Sequence, residues 1–125
     1  MKNTETKKPD LIGPFEQLVL TAIVALGERG YGMAIHAKVS ELANRTVRHG
    51  AVYMTLERME EKGYVSWSMA DPTPERGGRT RRCYKLLDLG ERVLQESVET
   101  AKRVQETVEH SWRIGKWRPR FRRAK

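Results

Sequence analysis

The stretch YVSWSMADPTPERGGRTRRCYKL, residues 64–86, decides the fold. Residues 64–69 and 83–86 alternate apolar and polar side chains, which is typical of two β-strands. Between them, Gly77-Gly78 supplies residues that tolerate positive φ, as a hairpin tip requires. Four arginines fall within the seven residues 76–82 and offer forked donors suited to phosphate oxygens. The stretch therefore predicts a cationic β-hairpin, a poor core element and a good contact for a polyanion.

The chain before the hairpin has the period of three short α-helices. The first helix is predicted to begin at Gly13-Pro14, because proline is tolerated in the first turn of a helix, and to end at Gly27. A weaker pattern predicts a second helix before Asn44, and a third runs from about His49 to Lys62, followed by a C-cap glycine. The predicted buried residues are Phe15, Leu18, Val19, Ala22, Ile23 and Leu26, then Ile35, Val39, Leu42 and Ala43, then Val52, Leu56 and Met59.

After the hairpin, a long polar helix is predicted from Asp88 to about Arg113, with one narrow apolar stripe. The stripe has too few residues to form a core alone. It could lie on the first three helices or on a second copy of the chain, and the length of the helix at the end of a small domain favours the second copy. The residues predicted to mediate dimerisation are Leu94, Val98, Ala101, Val104, Val108 and Trp112.

These patterns divide the chain into four parts. Residues 1–10 form a disordered polar tail, 11–87 the helical unit with its hairpin, 88–114 the dimerisation helix and 115–125 a basic tail. Six of the last ten residues are basic, and two aromatic residues lie among them. This tail could bind DNA, RNA or an anionic membrane, although a solvated, disordered tail is the simpler interpretation.

Composition favours a negatively charged partner and gives no support for catalysis. The 125 residues include 24 Lys and Arg against 16 Asp and Glu, a formal net charge of +8. One cysteine excludes an internal disulfide framework, and no apolar run suits a signal peptide or a membrane span. His36, His49, His110 and Cys83 lie in separate elements without metal-ligand spacing. We expect a cytoplasmic protein that is not an enzyme, has no cofactor and does not bind a membrane.

Three helices followed by a two-stranded wing is the order of a winged helix-turn-helix, in which the third helix enters the major groove of DNA. The predicted fold class is mainly α with a small β-hairpin, plus the long C-terminal helix. Glutamates in the second half of the third helix would repel phosphate, so we expect its N-terminal half to insert. The alternatives are a solvated amphipathic helix, a solvated turn at the hairpin and a purely structural Tyr53. The predicted DNA contacts are Arg48, His49, Gly50, Tyr53, Met54, Arg58, Arg76, Arg79 and Arg81.

The chain resembles the PadR-type transcriptional regulators, the family of the phenolic-acid-decarboxylase repressor. The resemblance covers roughly residues 11–90, and its ordered set of motifs is more specific than any single one. The matching pieces are Leu18 to Leu26, Tyr31-Gly32, Gly50 to Tyr53, Leu56 to Glu60, Gly63 to Val65, Pro74 to Arg79, Tyr84 to Leu86 and Gly90.

The resemblance implies a homodimeric repressor that binds a near-palindromic operator and is released by a small molecule. It also implies DNA contact by the third helix and wing, dimerisation through the C-terminal helix, and membership of the short subfamily with one such helix. Some members hold flat aromatic ligands between these helices using aromatic side chains, whereas the last helix here has no aromatic residue before Trp112. Two rival functions remain: a non-specific binder of nucleic acid or anionic surfaces, and a dimerising protein-interaction module.

Overall fold

A computed structural model describes residues 8–70 and 81–116. Within them, three helices, an antiparallel hairpin and a long helix follow one another in the predicted order, and a short 3-10 turn follows the first helix. The predictions for Arg76, Arg79, Gly77-Gly78 and most of both tails concern residues outside these described ranges. The elements are α1 (Pro14–Leu26), α2 (Gly32–Ala43), α3 (His49–Glu61), β1 (Val65–Ala70), β2 (Arg81–Leu86) and α4 (Asp88–Arg113).

The helix boundaries follow local chemistry. Pro14 is the first residue of α1, and the Glu16 carboxylate accepts a hydrogen bond of 3.1 Å from the amide of Gly13, which stabilises the exposed start of the helix. At the end of α3, Gly63 has φ +82°, so the predicted left-handed glycine is confirmed. Local sequence signals therefore set these ends to within a residue or two.

The core lies where α1, α2 and α3 meet the base of the hairpin. All three core residues predicted for α3 are buried, as are Ile35 and Val39 of α2. Leu42, in the last turn of α2, is 43% exposed, so its predicted burial is wrong, and the core contacts of α2 come from Val39 and Ile35, one and two turns earlier. Leu20 is fully buried although the periodic pattern did not select it. The buried apolar residues are Val19, Leu20, Ala22, Ile23, Ile35, Val39, Val52, Leu56, Met59, Tyr64, Val65, Tyr84 and Val93.

The hairpin has one end in this core and the other in solvent. Val65 pairs with Leu86 at the base and Trp67 pairs with Tyr84, whose side chain is buried. Toward the tip, Met69 is 55% exposed, although the sequence places it on the apolar face. The core therefore supports only the base, and Arg81 and Arg82 are exposed at the other end of the described strands.

A third backbone segment joins the hairpin at its outer edge. Tyr31 forms an isolated antiparallel bridge with Cys83, and the amide of Tyr84 donates a 2.8 Å hydrogen bond to the carbonyl of Gly30. A single bridged pair has no sequence period, so the strand analysis did not predict it. The bridge fixes the start of α2 against β2.

The two halves of α4 have different surroundings. Val93 and Ser97 are buried, and the Ser97 hydroxyl donates a 2.9 Å hydrogen bond to the Gln17 side-chain oxygen. The first half of α4 therefore packs on α1 and β2. Leu94 packs against this same core and is only partly buried, and its role in dimerisation stays a prediction. Beyond it, Val98 and Val104 are 41% and 56% exposed. None of the helices in the described ranges combines the length and apolar character needed to cross a bilayer.

Candidate nucleic-acid interface

Helix α3 buries one face and leaves the opposite face open. Val52 and Met59 are fully buried against α1 and α2, and one half-turn away Gly50 and Met54 are exposed, with Met54 62% accessible. A methyl group built on Gly50 would contact nothing within 4 Å. No described element covers this outer face, so it is free to approach a ligand as large as a duplex.

The charge along the outer face is uneven. Arg48 precedes the first turn of α3, where the unpaired backbone amides favour anions. No carboxylate among the described residues lies within ion-pair distance of Arg48. Glu57, Glu60 and Glu61 are exposed in the second half of the helix. The positive potential is therefore concentrated at the N-terminal half, as the sequence predicts.

One flank of α3 meets α2 through aromatic rings. The imidazoles of His36 and His49 are stacked, with centroids 3.6 Å apart and planes at 13°, and Tyr53 lies one turn farther, 6.5 Å from His49. Tyr53 passes so close to the start of α2 that only a glycine fits at Gly32 without moving its ring. Two of the predicted DNA contacts are thus held by α2.

The other flank of α3 meets the start of α1. The Arg58 guanidinium lies 3.8 Å from a Glu16 carboxylate oxygen and 3.4 Å from the Thr55 hydroxyl, and the Lys62 ammonium lies 3.4 Å from the same carboxylate. Arg58 therefore points along the flank and is partly neutralised, although half of its side chain stays exposed. Its role in DNA contact stays a prediction, and the geometry gives it a structural role as well.

At the end of the hairpin strands away from the core, arginines lie on aromatic rings. The Arg81 guanidinium is 3.6 Å from the Tyr31 ring centroid, and that of Arg82 is 4.1 Å from the centroid of Trp67. A hydrogen bond with Tyr84 raises the pKa of the exposed Arg82 side chain above its usual value. The sequence pattern predicts contact by Arg81, but it does not identify Tyr31 or Arg82 as part of this surface.

These pieces surround an open groove of about 340 Å³ between the start of α2, α3 and the wing. Tyr53 and Arg81, both predicted DNA contacts, lie on its two sides. The groove thus joins the Tyr53 flank of α3 to the strand that bears Arg81. Its lining residues are Tyr31, Gly32, Met33, Tyr53, Arg81, Arg82 and Tyr84.

The described residues contain no group of three or more His, Cys, Asp or Glu side chains arranged to hold a metal ion. Cys83, at the outer edge of the hairpin, donates a weak 3.5 Å hydrogen bond from its thiol to the carbonyl of Glu28. This contact accounts for Cys83 as part of the bridge between the hairpin and the turn after α1.

Known proteins with this arrangement point to one family. The model of the transcriptional regulator PadR-like family matches residues 19–96. A PadR-like transcription factor from Bacteroides fragilis is 28% identical, with 77% of this chain and 90% of that chain covered and a TM-score of 0.60. No curated protein matches the chain significantly.

Two further structures share the fold at lower identity. A PadR-like regulator from Bacillus cereus is 23% identical over 76% of this chain and 87% of its own, with a TM-score of 0.62. A PadR family regulator from Clostridium difficile is 21% identical over 78% and 97%, with a TM-score of 0.63.

Proposed function

The chain belongs to the PadR-like family of DNA-binding transcriptional regulators, and from this premise we propose that it is a homodimeric repressor of an inverted-repeat operator. Members of this family are regulators of transcription and not enzymes. One observation supports the proposal: the uncovered N-terminal half of α3 lies beside the strand end that bears Arg81 and Arg82, and neither arginine has a carboxylate partner among the described residues.

The two parts of this surface have different tasks. An α-helix fits the major groove, and exposed side chains of its first turns reach base edges, which assigns sequence readout to His49 and Met54. Arg48 and Arg81 lie beside this helix and carry charge that suits phosphate, so they set affinity and register. Tyr53, with its hydroxyl beside Gly32, adds a neutral donor to the same backbone contact.

Dimerisation is assigned to the second half of α4. At about 1.5 Å per residue, this 26-residue helix is about 39 Å long, and only its first half packs on its own domain. Val98, Ala101 and Val104 lie on one exposed side. Val108 and Trp112 continue that stripe, with Trp112 39% exposed. Burying it against the same stripe of a second chain removes apolar surface from water and creates a two-fold axis.

The two-fold axis predicts the form of the operator. Two α3 helices related by it meet successive major grooves about 34 Å apart, so the half-sites form an inverted repeat. Repression follows when such a dimer covers a promoter. Release by a small-molecule effector is part of the proposal and rests on the family alone.

Selection of binding sites from a random DNA pool, followed by protection footprinting of the recovered site, tests this function. We expect one preferred sequence and a footprint with dyad symmetry. Equal binding to all sequences would instead support the non-specific nucleic-acid binder. A single preferred half-site without a dyad would reject the homodimer and retain sequence-specific binding.

A further inference from the structure

We infer that His36 is a positioning residue for base recognition, because its ring holds the His49 side chain in a fixed orientation on α3. The inference rests on the proposed function, since it assigns a specificity role within the same DNA-reading helix. His36 is not itself on the outer face of α3. It belongs to α2, one helix behind the surface that approaches DNA.

The geometry makes the two histidines unequal. His36 is half-buried, and its Nε2 donates a 2.7 Å hydrogen bond to the carbonyl of Val47 in the segment that leads into α3. The amide of Val47 in turn donates to the Ser40 hydroxyl at 3.1 Å. One hydrogen bond therefore holds the His36 ring to the segment before α3, and the other anchors that segment to α2, so the orientation of the ring is set in the free protein.

His49 is exposed and makes its contact through one face. Its ring lies parallel to that of His36 at 3.6 Å, a distance that corresponds to direct contact of the two planes. Within residues 8–70 and 81–116, neither ring nitrogen of His49 has a hydrogen-bond partner. The stack therefore restricts the rotation of the ring while it leaves the polar edge available to a base.

Orientation before binding matters for specificity. An exposed side chain that samples several rotamers must be ordered on binding, and a loosely held donor accepts wrong bases at similar geometry. The stack removes this freedom in the free protein. A second contact between α2 and α3 lies one turn away. Gly32, four residues before His36, contacts Tyr53, which is four residues after His49.

The rival interpretation is that His36 only ties the α2–α3 turn together through its hydrogen bond to Val47. Three variants of the full chain separate the two roles. His36→Phe keeps a stacking ring and loses the hydrogen bond, His36→Gln keeps a donor and loses the ring, and His36→Ala loses both. Each is measured against the operator recovered by site selection and against a scrambled duplex of equal length and composition.

The measured quantity is the dissociation constant for the scrambled duplex divided by that for the operator. We expect His36→Ala and His36→Gln to lower the ratio about fivefold, the lower end of what one base contact contributes to discrimination. His36→Phe should stay within about twofold of wild type. In the free protein, the His49 ring-proton resonances should move downfield in His36→Ala, because the ring current of the neighbour is lost, and should stay near their original positions in His36→Phe.

An unchanged ratio in His36→Ala overturns the inference, whether binding to the two duplexes is unaffected or weakened equally. Rescue by glutamine but not by phenylalanine assigns His36 to the turn and also overturns it. If His36→Ala does not fold, the comparison of the phenylalanine and glutamine variants decides. A wild-type protein with no preferred sequence removes the proposed function itself, whereas a wild-type preference that survives in all three variants removes this inference alone.

Discussion

Gly90 in the first turn of α4 lies directly against the backbone carbonyl of Tyr64, so that a methyl group on Gly90 would overlap the carbonyl oxygen. The amide of Leu87 donates a 2.8 Å hydrogen bond to that same carbonyl. This crossing, together with the bond between Ser97 and Gln17, attaches the long helix to the DNA-binding unit. The position of a dimer partner would therefore depend on a contact at the back of the wing.

Gly90→Ala should destabilise the protein. The obstructing atoms belong to the backbone and cannot rotate away, so we expect the free energy of unfolding to fall by about 1–3 kcal/mol in urea denaturation. Gly50→Ala is the matched control, because it adds the same methyl to a helix where nothing lies within 4 Å. It should leave stability unchanged or raise it by about 0.5–1 kcal/mol. Equal stability of Gly90→Ala and wild type would contradict the close crossing.

Glu16 connects the start of α1 to the end of α3 and should stabilise both. Glu16→Ala removes the capping acceptor and the partner of Arg58 and Lys62, and we expect a loss of about 1 kcal/mol in the free energy of unfolding. Glu16→Gln keeps an acceptor for the Gly13 amide and should lose roughly 0.5 kcal/mol or less. Chemical denaturation at low and high salt separates the contribution of the helix cap from that of the ion pairs, because salt screens only the ion pairs.

Glu41 provides the control for that pair. It forms an ion pair with Lys38 at 3.1 Å, but its side chain is 70% exposed. Glu41→Ala should therefore change stability by less than about 0.5 kcal/mol. A loss as large as that of Glu16→Ala would show that general surface charge, and not the contact between α1 and α3, explains the effect.

Arg81→Ala should weaken binding to every duplex and reduce its salt dependence. Loss of one phosphate contact makes the slope of log K against log salt shallower by about one, which fluorescence anisotropy over a salt series measures. Lys85 lies on the same strand at the base of the hairpin, beside α1 and α4. Lys85→Ala should leave the slope unchanged. If both substitutions reduced the slope equally, the effect would come from the net charge of the protein and not from a local contact of the wing.

Val104→Glu should convert the proposed dimer into a folded monomer. The residue is 56% exposed on the distal half of α4, so a carboxylate there is compatible with the single chain but would be buried in a partner interface. Light scattering gives the mass, and circular dichroism checks that the helices remain. His110→Glu places the same charge on a side of α4 that faces away from the stripe and should remain dimeric. A dimeric Val104→Glu would move the interface elsewhere.

Much of the architecture could be predicted from local pattern. The change of period from 3.6 to 2 after Gly63 indicates helices followed by strands, and the apolar spacing in α3 identifies Val52, Leu56 and Met59 as its buried face. Gly50 and Met54 then face outward of necessity, because a helix turns about 100° per residue. The order of the elements and the buried and exposed faces of a helix depend on residues close in sequence, so they can be predicted from the sequence.

Contacts between distant residues could not be predicted in this way. The stack of His36 on His49, the contact of Arg58 with Glu16 and the bridge of Tyr31 to Cys83 join residues 13, 42 and 52 positions apart. They depend on how the helices cross and how far each side chain reaches, and periodicity contains neither quantity. The same holds for α4, whose stripe is continuous in sequence but is divided near Ser97, where the helix passes the edge of the core. A hydrophobic pattern specifies which side is buried, whereas packing specifies what buries it.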